Sequence, residues 1–365
     1  MTALSHDELI DWIRLARTPG VGPKTFRNLI TRFGAASEAI FRAAELSGKI
    51  PAPAVAEKEF AAAQKAGLTY LPYSDPRTPQ PLAALDDPPP LLLVKGNPDV
   101  LTAPLIAIVG ARNATLNGRK FAKMLAADLA KAGYGVISGM ARGIDGAAHE
   151  GALTQGLTVA VLAGGTDVIY PPEHDGLYRR IAESGAVVSE MPPGTEPQAA
   201  LFPRRNRIIS GVSCGVVVVE ATPRSGSLIT ARFAADQGRD VFAVPGSPLD
   251  PRCQGPNGLI RDGAVLIQSA DDIITHLPPI RVLAPKFSSA PTASSQHTDN
   301  IDENTGLTLR RKIETALGTS SAAVDELVRQ CQVSAAVLAP VLLELELDGR
   351  LEQLPGNRVA LIGTV

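Results

Sequence analysis

Arginines stand beside glycine turns at several places in the middle of the chain. Arg112 ends the segment Gly110-Ala-Arg112, and Arg142 directly precedes Gly143 at the start of a predicted helix. A guanidinium can hold a phosphate through two parallel hydrogen bonds, and backbone amides at a helix start add partial positive charge. A third basic group lies in one short segment and comprises Arg204, Arg205 and Arg207. These residues therefore predict phosphate binding.

An aromatic side chain lies close to the third basic group. Phe202 precedes Arg204 by two residues, and an exposed ring there could stack on a base, as in proteins that bind single strands. Each residue also has a structural alternative. A lone arginine often pairs with a carboxylate such as Asp145 or Glu220, and Phe202 could fill the core instead. The combination is much more specific than its parts.

Motifs for cofactors and catalysis are weak in this chain. A dinucleotide site needs G-x-G-x-x-G after the first strand, but Arg112 occupies the place of the second glycine and would crowd a pyrophosphate. The Walker pattern G-x-x-x-x-G-K-[ST] does not occur. Asp145 and His149 share a helix face, a pair that favours a structural hydrogen bond over acid–base catalysis. We therefore expect no cofactor, no metal site and no catalytic residues.

Short apolar runs must position these side chains. The predicted strands are Leu105–Val109, Tyr134–Ser138, Thr158–Ala163, Ala186–Glu190, Gly215–Glu220 and Asp240–Val244. Helical patterns lie between most of them, which is typical of βαβ units in a mostly parallel sheet flanked by helices. Ligands of such sheets bind at the carboxyl ends of the strands. The chain is therefore predicted to be an α/β protein with an extended Rossmann-like sheet and a phosphate-binding edge.

Composition and turn signals divide the chain into four segments. Residues 1–70 are predicted to be helical, and the turn Thr18-Pro-Gly-Val-Gly-Pro23 is similar to that of a helix-hairpin-helix or SAM-like domain. Backbone amides of such a turn can hold a DNA phosphate, although a plain packing module is an equal alternative. Residues 71–278 are the predicted Rossmann-like domain, entered through a proline-rich passage with an extended run at Leu91–Val94. Residues 279–304 are small and polar, which predicts a flexible linker.

Residues 305–365 predict a winged helix. Three helical stretches precede a hairpin with a turn at Pro355-Gly-Asn357, and they are Leu307–Leu317, Ala322–Gln330 and Ala335–Leu347. The last of them carries Glu344 and Glu346 and no lysine or arginine, and the segment's six basic and seven acidic side chains balance at −1. Phosphate neutralisation supplies most non-specific affinity for DNA. We therefore expect that this helix does not bind duplex DNA strongly.

The overall composition excludes several classes of protein. The net charge of −2 over 365 residues means that any site for a polyanion must be a local patch. The three cysteines are far apart and form no CxxC pair, so neither a zinc site nor a disulfide framework is indicated. No signal peptide and no apolar run of membrane-spanning length is found, which predicts a cytoplasmic protein.

The glycine and arginine segments together resemble the DNA-processing protein A family (DprA, also called Smf). The resemblance is dense over residues 70–275, and outside them it rests on the architecture alone. The matching segments are Ile106–Arg112, Ser138–Asp145, Thr158–Gly165, Ile169–Pro171, Phe202–Gly211, Ser225–Ala231 and Val244–Gly246. Several long motifs in the family's order make coincidence a poor explanation.

The resemblance implies a single-stranded DNA-binding protein that is not an enzyme. Members of the family protect incoming DNA during natural transformation and help load the RecA recombinase. Their central domain also forms a homodimer, which here implies a contact around residues 230–270. The resemblance and the strand-end argument together predict a DNA-binding site of Gly110, Arg112, Arg142, Gly143, Phe202, Arg204, Arg205, Asn206, Arg207, Ser225 and Gly226.

One position departs from the family's pattern. Many relatives carry a lysine soon after the Tyr-Pro pair that corresponds to Tyr170 and Pro171. This chain has Pro172-Glu-His174 there, so one phosphate contact is either absent or replaced by His174.

Two other classes of function compete with this interpretation. The domain is also similar to nucleotide-processing phosphoribohydrolases of the Lonely Guy type, whose P-G-G-x-G-T-x-x-E motif holds a catalytic glutamate. The comparable segment Ser225–Arg232 lacks the paired glycines and places an arginine near the acid's position. A purely architectural binder of duplex DNA is the third class, and it would depend on the winged helix and the hairpin turn alone.

Overall fold

The computed structural model of the protein describes residues 4–43, 46, 49–278, 309–310, 313, 322–331, 333–354 and 358–361. The chain divides into two compact units, Met1–Pro285 and Lys286–Val365. The first unit contains the predicted helical and Rossmann-like domains, and the second contains the predicted winged helix. No helix within the described ranges is both long enough and apolar enough to span a bilayer.

A nine-stranded sheet forms the centre of the first unit, in the order β1-β2-β6-β5-β4-β3-β7-β8-β9. Its strands are β1 Leu68–Pro72, β2 Leu91–Gly96, β3 Leu105–Val109, β4 Gly135–Ser138, β5 Thr158–Val161, β6 Ala186–Ser189, β7 Gly215–Val218, β8 Asp240–Ala243 and β9 Val265–Leu266. All pairings from β6 to β9 are parallel, whereas β1–β2 and β2–β6 are antiparallel. The predicted mostly parallel sheet is therefore confirmed.

Helices surround this sheet. They are α1 His6–Ala16, α2 Pro23–Phe33, α3 Ala36–Arg42, α4 Pro53–Lys65, α5 Gln80–Ala83, α6 Leu116–Lys131, α7 Ile144–Ala152, α8 Asp175–Ser184, α9 Leu201–Val212, α10 Gly226–Asp236, α11 Gln254–Arg261 and α12 Ala270–His276. Side-chain caps explain several of the starts. Thr115 accepts a hydrogen bond from the Gly118 amide at the start of α6, and Ser269 forms a capping box with Asp272 at the start of α12.

The central strands are apolar throughout because helices cover both faces of the sheet. All five residues of β3 are buried. Leu105, Ala107 and Val109 enter one hydrophobic cluster, while Ile106 and Ile108 enter the cluster on the opposite face. Alternate side chains of a strand point to opposite faces, so an unbroken apolar run is what a doubly covered strand requires.

The N-terminal helices pack on the antiparallel edge of the sheet. Trp12 and Phe26 meet with their ring centroids 5.0 Å apart, and both share a buried cluster with Leu91 and Leu93 of β2. The prediction that residues 1–70 are helical is wrong at its end, because Leu68 begins β1. That strand pairs with β2, which lies beyond the proline-rich passage. A pairing partner so distant in sequence is invisible to a local helical pattern.

The second unit contains two described helices, α13 Val324–Cys331 and α14 Ala335–Leu347. A three-stranded antiparallel sheet accompanies them, formed by β10 Ala322–Ala323, β11 Leu351–Leu354 and β12 Arg358–Leu361. The winged-helix fold is confirmed, with the difference that residues 322–323 form a short strand before α13. Only residues 309, 310 and 313 of the first predicted helix are described, and the predicted linker and hairpin turn lie outside the described residues.

Candidate nucleic-acid interface

Two adjoining clefts open at the carboxyl ends of the parallel strands. They share a wall formed by Arg112, Ala141, Phe202 and Arg205. The first cleft, about 70 Å³, is lined mainly by apolar side chains such as Leu162, Val168, Tyr170, Pro171 and Pro197. The second cleft, about 290 Å³, is more polar and is lined by Gly110, Asp145, Asn206, Ser225, Gly226 and Thr230. Most of the predicted site residues therefore meet at one edge of the sheet.

Arg112 lies on the turn that follows β3. Its side chain is exposed, and no hydrogen bond or ion pair joins it to any residue that the structure describes. The guanidinium carbon lies 5.1 Å from the centroid of the Phe202 ring. A cation over an aromatic face is held by the ring quadrupole without losing its hydrogen-bond donors. Arg112 therefore presents an unneutralised guanidinium at the wall between the two clefts.

Arg205 forms the buried base of the same wall. It is 6% exposed and donates to the Val161 carbonyl at 2.8 Å and to the Gly139 carbonyl. Burial lowers its pKa to about 10, an effect that the nearby carboxylate of Asp145 opposes and the charge of Arg112 reinforces. A guanidinium with this pKa remains protonated at neutral pH. The shared wall of the clefts therefore carries one exposed and one buried positive charge.

Asp145 is the nearby carboxylate whose charge interacts with this buried guanidinium. Burial raises the pKa of its carboxyl group, while Arg205 and the amides of Ala141 and Gly139 oppose the rise. The predicted pair of Asp145 with His149 does not form, since His149 Nδ1 instead lies 2.7 Å from the Thr158 hydroxyl. The spacing correctly placed both side chains on α7, but the tertiary structure gave each a different partner.

The glycine turns bring these loops close together. An added Cβ at Gly143 would meet the carbonyl oxygens of Ala111 and Arg112, and Gly143 adopts a φ of +79°. The Ile144 amide donates to the Ala111 carbonyl at 3.3 Å. The sequence suggested bare amides at this helix start, whereas the Ile144 amide holds the arginine turn in place. Gly143 therefore positions Arg112 through close backbone contact.

Met140 adds local strain at the same turn. Its φ is +63°, a left-handed conformation that costs energy for a residue with a long side chain. The side chain is buried, and the carbonyl oxygen lies 3.0 Å from His174 Nδ1. His174 is thereby directed to the backbone of this turn and does not line either cleft.

Three of the five predicted arginines line the clefts, namely Arg112, Arg142 and Arg205. The other two turn away because residues 201–212 form helix α9. Arg205 and Asn206 follow Phe202 by about one turn, on the face toward the clefts. Arg204 and Arg207 lie on another face and both bind Glu190, at 3.0 Å and 2.7 Å. The expected convergence of all five arginines is therefore not what the structure shows.

Arg142 lines the first cleft but already has a partner. Its guanidinium forms an ion pair with Glu173, and the two side chains are 63% and 45% exposed. The hydrogen bond with Arg142 lowers the pKa of the Glu173 carboxyl group. This carboxylate follows the Tyr170-Pro171 pair, near the place where relatives were expected to carry a lysine. Glu173 therefore reduces the positive charge that Arg142 presents to the cleft.

The polar end of the second cleft is set by helix caps. Ser225 caps α10, and the side-chain amide of Asn206 donates to the Gly226 carbonyl at 3.2 Å. Glu220, which the sequence offered as a partner for an arginine, instead accepts hydrogen bonds from the backbone amide and hydroxyl of Thr115. Its charge stabilises the positive N-terminal end of α6. The second cleft consequently has few carboxylates near Arg112.

Sequence reasoning did not include Tyr170 in the site. The ring is 46% exposed and meets Phe202 edge to face, with the centroids 6.3 Å apart. The signal was available in the Tyr-Pro pair, because an exposed aromatic residue on a loop at this edge is suited to stacking. Within the described ranges, no group of three or more histidine, cysteine, aspartate or glutamate side chains could hold a metal ion.

Two cations, Lys24 and Arg27, lie close to the helix-hairpin-helix turn at the N-terminus. Arg27 donates to the Leu85 carbonyl and is part-buried, whereas Lys24 is exposed. An added Cβ at Gly20 or Gly22 would meet no atom within 4 Å, so the backbone of the turn is open. One of the two nearby cations is thus used to attach the domain to the rest of the first unit.

Comparisons with known proteins identify the family of this chain. The family model described as DNA recombination-mediator protein A matches residues 69–278. This chain belongs to the DNA-processing protein A family. Models described as the DprA-like N-terminal HHH domain and the DprA winged helix domain match residues 6–62 and 293–357.

Individual family members are similar over much of their length. DNA processing protein DprA of Bacillus subtilis is 44% identical over 220 residues, which are 60% of this chain and 74% of the relative. Protein Smf of Escherichia coli is 39% identical over 285 residues, 78% of this chain and 75% of the relative. The family resemblance seen in the motifs is thus confirmed.

Solved structures of family members share the fold. The structure of DprA from Streptococcus pneumoniae matches with a TM-score of 0.64 and 34% identity, covering 76% of this chain and 99% of that one. A structure described as showing the single-stranded DNA binding mode of DprA from Helicobacter pylori matches with a TM-score of 0.52 and 30% identity. It covers 57% of this chain and 94% of that one.

Proposed function

We propose that this protein binds single-stranded DNA in the two clefts at the carboxyl ends of its parallel strands. The observation that carries the proposal is Arg112, an exposed guanidinium without a carboxylate partner among the described residues, lying 5.1 Å from the Phe202 ring. A phosphate and a neighbouring base need such a pair of groups, one cationic and one aromatic. The single-stranded DNA binding mode described for DprA from Helicobacter pylori supports the same ligand.

The two clefts suit different parts of a DNA strand. The first is lined by Tyr170, Phe202 and several apolar side chains, which can stack on a base. The second carries the amide and hydroxyl groups of Asn206 and Ser225 beside Arg112, and these can donate to phosphate oxygens. Neither set reads the hydrogen-bonding edge of a particular base. We therefore expect weak sequence preference.

Substitution of Arg112 tests the site. Arg112→Ala should lower the affinity for labelled oligo-dT by at least about tenfold, because a charge-assisted hydrogen bond contributes about 1.5–3 kcal/mol. The side chain is exposed, so the free energy of unfolding should change by less than about 0.5 kcal/mol. Fluorescence anisotropy measures the affinity, with Arg180→Ala as the matched control, since Arg180 is exposed and lines neither cleft. Equal affinity of the two variants would contradict the proposal.

Binding alone accounts for the proposed activity, without catalysis. The family is described as a recombination mediator, and we propose that this member protects incoming DNA in the cytoplasm during natural transformation and helps load RecA on it. The test is to incubate the protein with single-stranded DNA, duplex DNA and mononucleotides. Preference for the single strand with all three recovered intact is the expected result. Release of free base from a nucleotide would favour the phosphoribohydrolase alternative.

The protein is proposed to act as a homodimer through residues 230–270. A groove there is bordered by α10, β8 and α11 and includes the apolar side chains of Leu228, Val241 and Leu259. Ile229 and Leu266, in the same region, are 42% and 46% exposed. A dimer would present two DNA sites and raise avidity without any new contact. Light scattering at micromolar concentration should give twice the monomer mass, and a monomer would contradict the proposal.

A further inference from the structure

A second basic groove lies outside the two clefts, between the first half of α6 and helix α7. The residues that line it include Arg119, Lys120, Lys123, Gly146, Glu150 and His174. Its volume is about 420 Å³. Three cations thus face one carboxylate in a groove of whose lining the predicted DNA-binding site included only Gly143. We name it the α6–α7 groove.

The positive charge of this groove is only partly neutralised. Lys123 lies 3.2 Å from Glu150, and the two side chains are 53% and 50% exposed. Arg119 and Lys120 are exposed and form no hydrogen bond or ion pair through their side chains with any described residue. Helical spacing puts Arg119 and Lys120 each about one turn from Lys123, and all three line the groove from one face of α6. The face therefore offers at least two free cations in a row.

The α6–α7 groove adjoins the first cleft, because residues that are neighbours in the sequence line the two. Arg142 lines the cleft, and the next residue, Gly143, lines the groove. His174 lines the groove and contacts the carbonyl of Met140, whose neighbour Ala141 lines both clefts. A polymer that fills the cleft at Arg142 would therefore meet the groove next.

The chemistry of the groove selects the backbone of a strand over its bases. The cleft offers Tyr170 and Phe202 for stacking, whereas the lining of the groove contains no tyrosine, phenylalanine or tryptophan. Lysine ammonium groups bind phosphate as point charges, with little dependence on the orientation of the ligand. We propose that the α6–α7 groove binds the phosphate backbone of the DNA strand that leaves the clefts. This inference rests on the proposed single-stranded DNA binding and extends the length of strand that the protein covers.

The length dependence of binding tests the groove separately from the clefts. The variant is Arg119→Ala/Lys120→Ala, and Lys131→Ala is the matched control, because Lys131 is an exposed lysine at the other end of the same helix. Alanine favours helix, so α6 should persist. Fluorescence anisotropy is measured with two oligo-dT strands. One has about six nucleotides and is chosen to fill the clefts only. The other has about twenty nucleotides and is longer than the usual binding site for a single strand.

The double variant should bind the long oligonucleotide about three- to tenfold more weakly. The slope of its log affinity against log salt concentration should be smaller in magnitude by about 1.4, since each lost phosphate contact removes about 0.7. Its affinity for the short oligonucleotide should match that of Lys131→Ala, because Arg119 and Lys120 line the groove and neither cleft. Retained binding of the short strand also shows that the variant is folded.

Two results would overturn the α6–α7 groove as a binding site. One is an unchanged affinity and salt slope with the long strand. The other is an equal loss with both lengths, which would mean that Arg119 and Lys120 act on the clefts themselves. Failure of the proposed function has a different signature: Arg112→Ala would then leave the short oligonucleotide bound as well as before.

Discussion

The start of helix α9 presents basic side chains on two faces, and the two faces have opposite environments. On the cleft face, Arg205 packs against Phe202, with its guanidinium carbon 5.7 Å from the ring centroid. On the other face, Arg204 and Arg207 both bind the carboxylate of Glu190, which is 5% exposed. Asp87 adds a second carboxylate to Arg207 at 3.3 Å.

The difference shows why a count of arginines does not measure a phosphate site. Both faces are basic in sequence, yet one is neutralised by carboxylates that lie far away along the chain. A guanidinium whose charge is satisfied by two carboxylates has little left for a phosphate. The face with Arg204 and Arg207 should therefore stabilise the fold, and the face toward the clefts should bind the ligand. Substitutions on the two faces should therefore have different effects on stability and on DNA binding.

The largest effect is expected from Arg207. Its side chain is 8% exposed, so Arg207→Ala leaves Glu190 buried with only the half-exposed Arg204 as a partner. Breaking a buried ion pair on one side costs about 3–5 kcal/mol. Urea unfolding should show a loss of about 3 kcal/mol, while Arg204→Ala should lose less than about 1 kcal/mol. Folded Arg207→Ala should bind oligo-dT with the affinity of the natural protein. A tenfold loss of affinity would show that Arg207 belongs to the binding site.

The buried His149 of α7 should make the free energy of unfolding depend on pH. The Thr158 hydroxyl donates to the Val136 carbonyl, so its oxygen accepts from Nδ1–H of His149, and Nε2 has no partner among the described residues. Burial lowers the pKa of His149 to about 3. The native state therefore takes up fewer protons than the unfolded state below pH about 6.5.

The free energy of unfolding should consequently fall as the pH drops below that value, by up to about 1.4 kcal/mol per pH unit from this residue. The measurement is urea unfolding of the natural protein and of His149→Gln at several pH values between about 6.5 and 4.5. The variant should have the shallower dependence. If the free energies of unfolding of the two proteins change with pH in parallel, the interior around position 149 accepts a charged histidine.

A smaller effect, on binding alone, is expected from Phe202. This ring contacts Arg112, Arg205 and Tyr170 at the shared wall of the clefts. Base stacking on an aromatic ring contributes about 1–3 kcal/mol, so Phe202→Ala should weaken oligo-dT binding by about tenfold. Phe202→Tyr keeps the ring and should bind almost as the natural protein does. If Phe202→Ala loses stability but no affinity, the ring belongs to the core.

The smallest effect concerns the exposed pair of Arg142 and Glu173. Removing the carboxylate charge in Glu173→Gln frees Arg142, which lines the first cleft, to meet a phosphate. The affinity should rise, by less than about fivefold because exposed ion pairs are weak. Glu183→Gln, on an exposed position of α8, is the matched control. A lower affinity in Glu173→Gln would mean that Glu173 positions Arg142 for binding.

The sequence alone determined the strand pattern and the place of the site. The apolar runs of β3 to β8 follow one another at βαβ spacing, and the strand bounds differ from the prediction only at the ends. Gly110, Arg112 and Phe202 were recognised from their types and positions, and all three line the clefts. These signals are local, because burial on both faces of a strand dictates consecutive apolar residues.

Which charges remain available for a ligand depends on tertiary contacts. The partner of Arg207 is Glu190, which directly follows β6, the partner of Arg142 comes from the segment between β5 and α8, and Arg112 has none among the described residues. The antiparallel pairing of β1 with β2 was also hidden from local patterns. Apolar periodicity is written into neighbouring residues, whereas ion pairing depends on which distant segments the fold brings within about 4 Å. For this reason the sequence located a basic edge, and the fold selected the guanidinium that is free to bind.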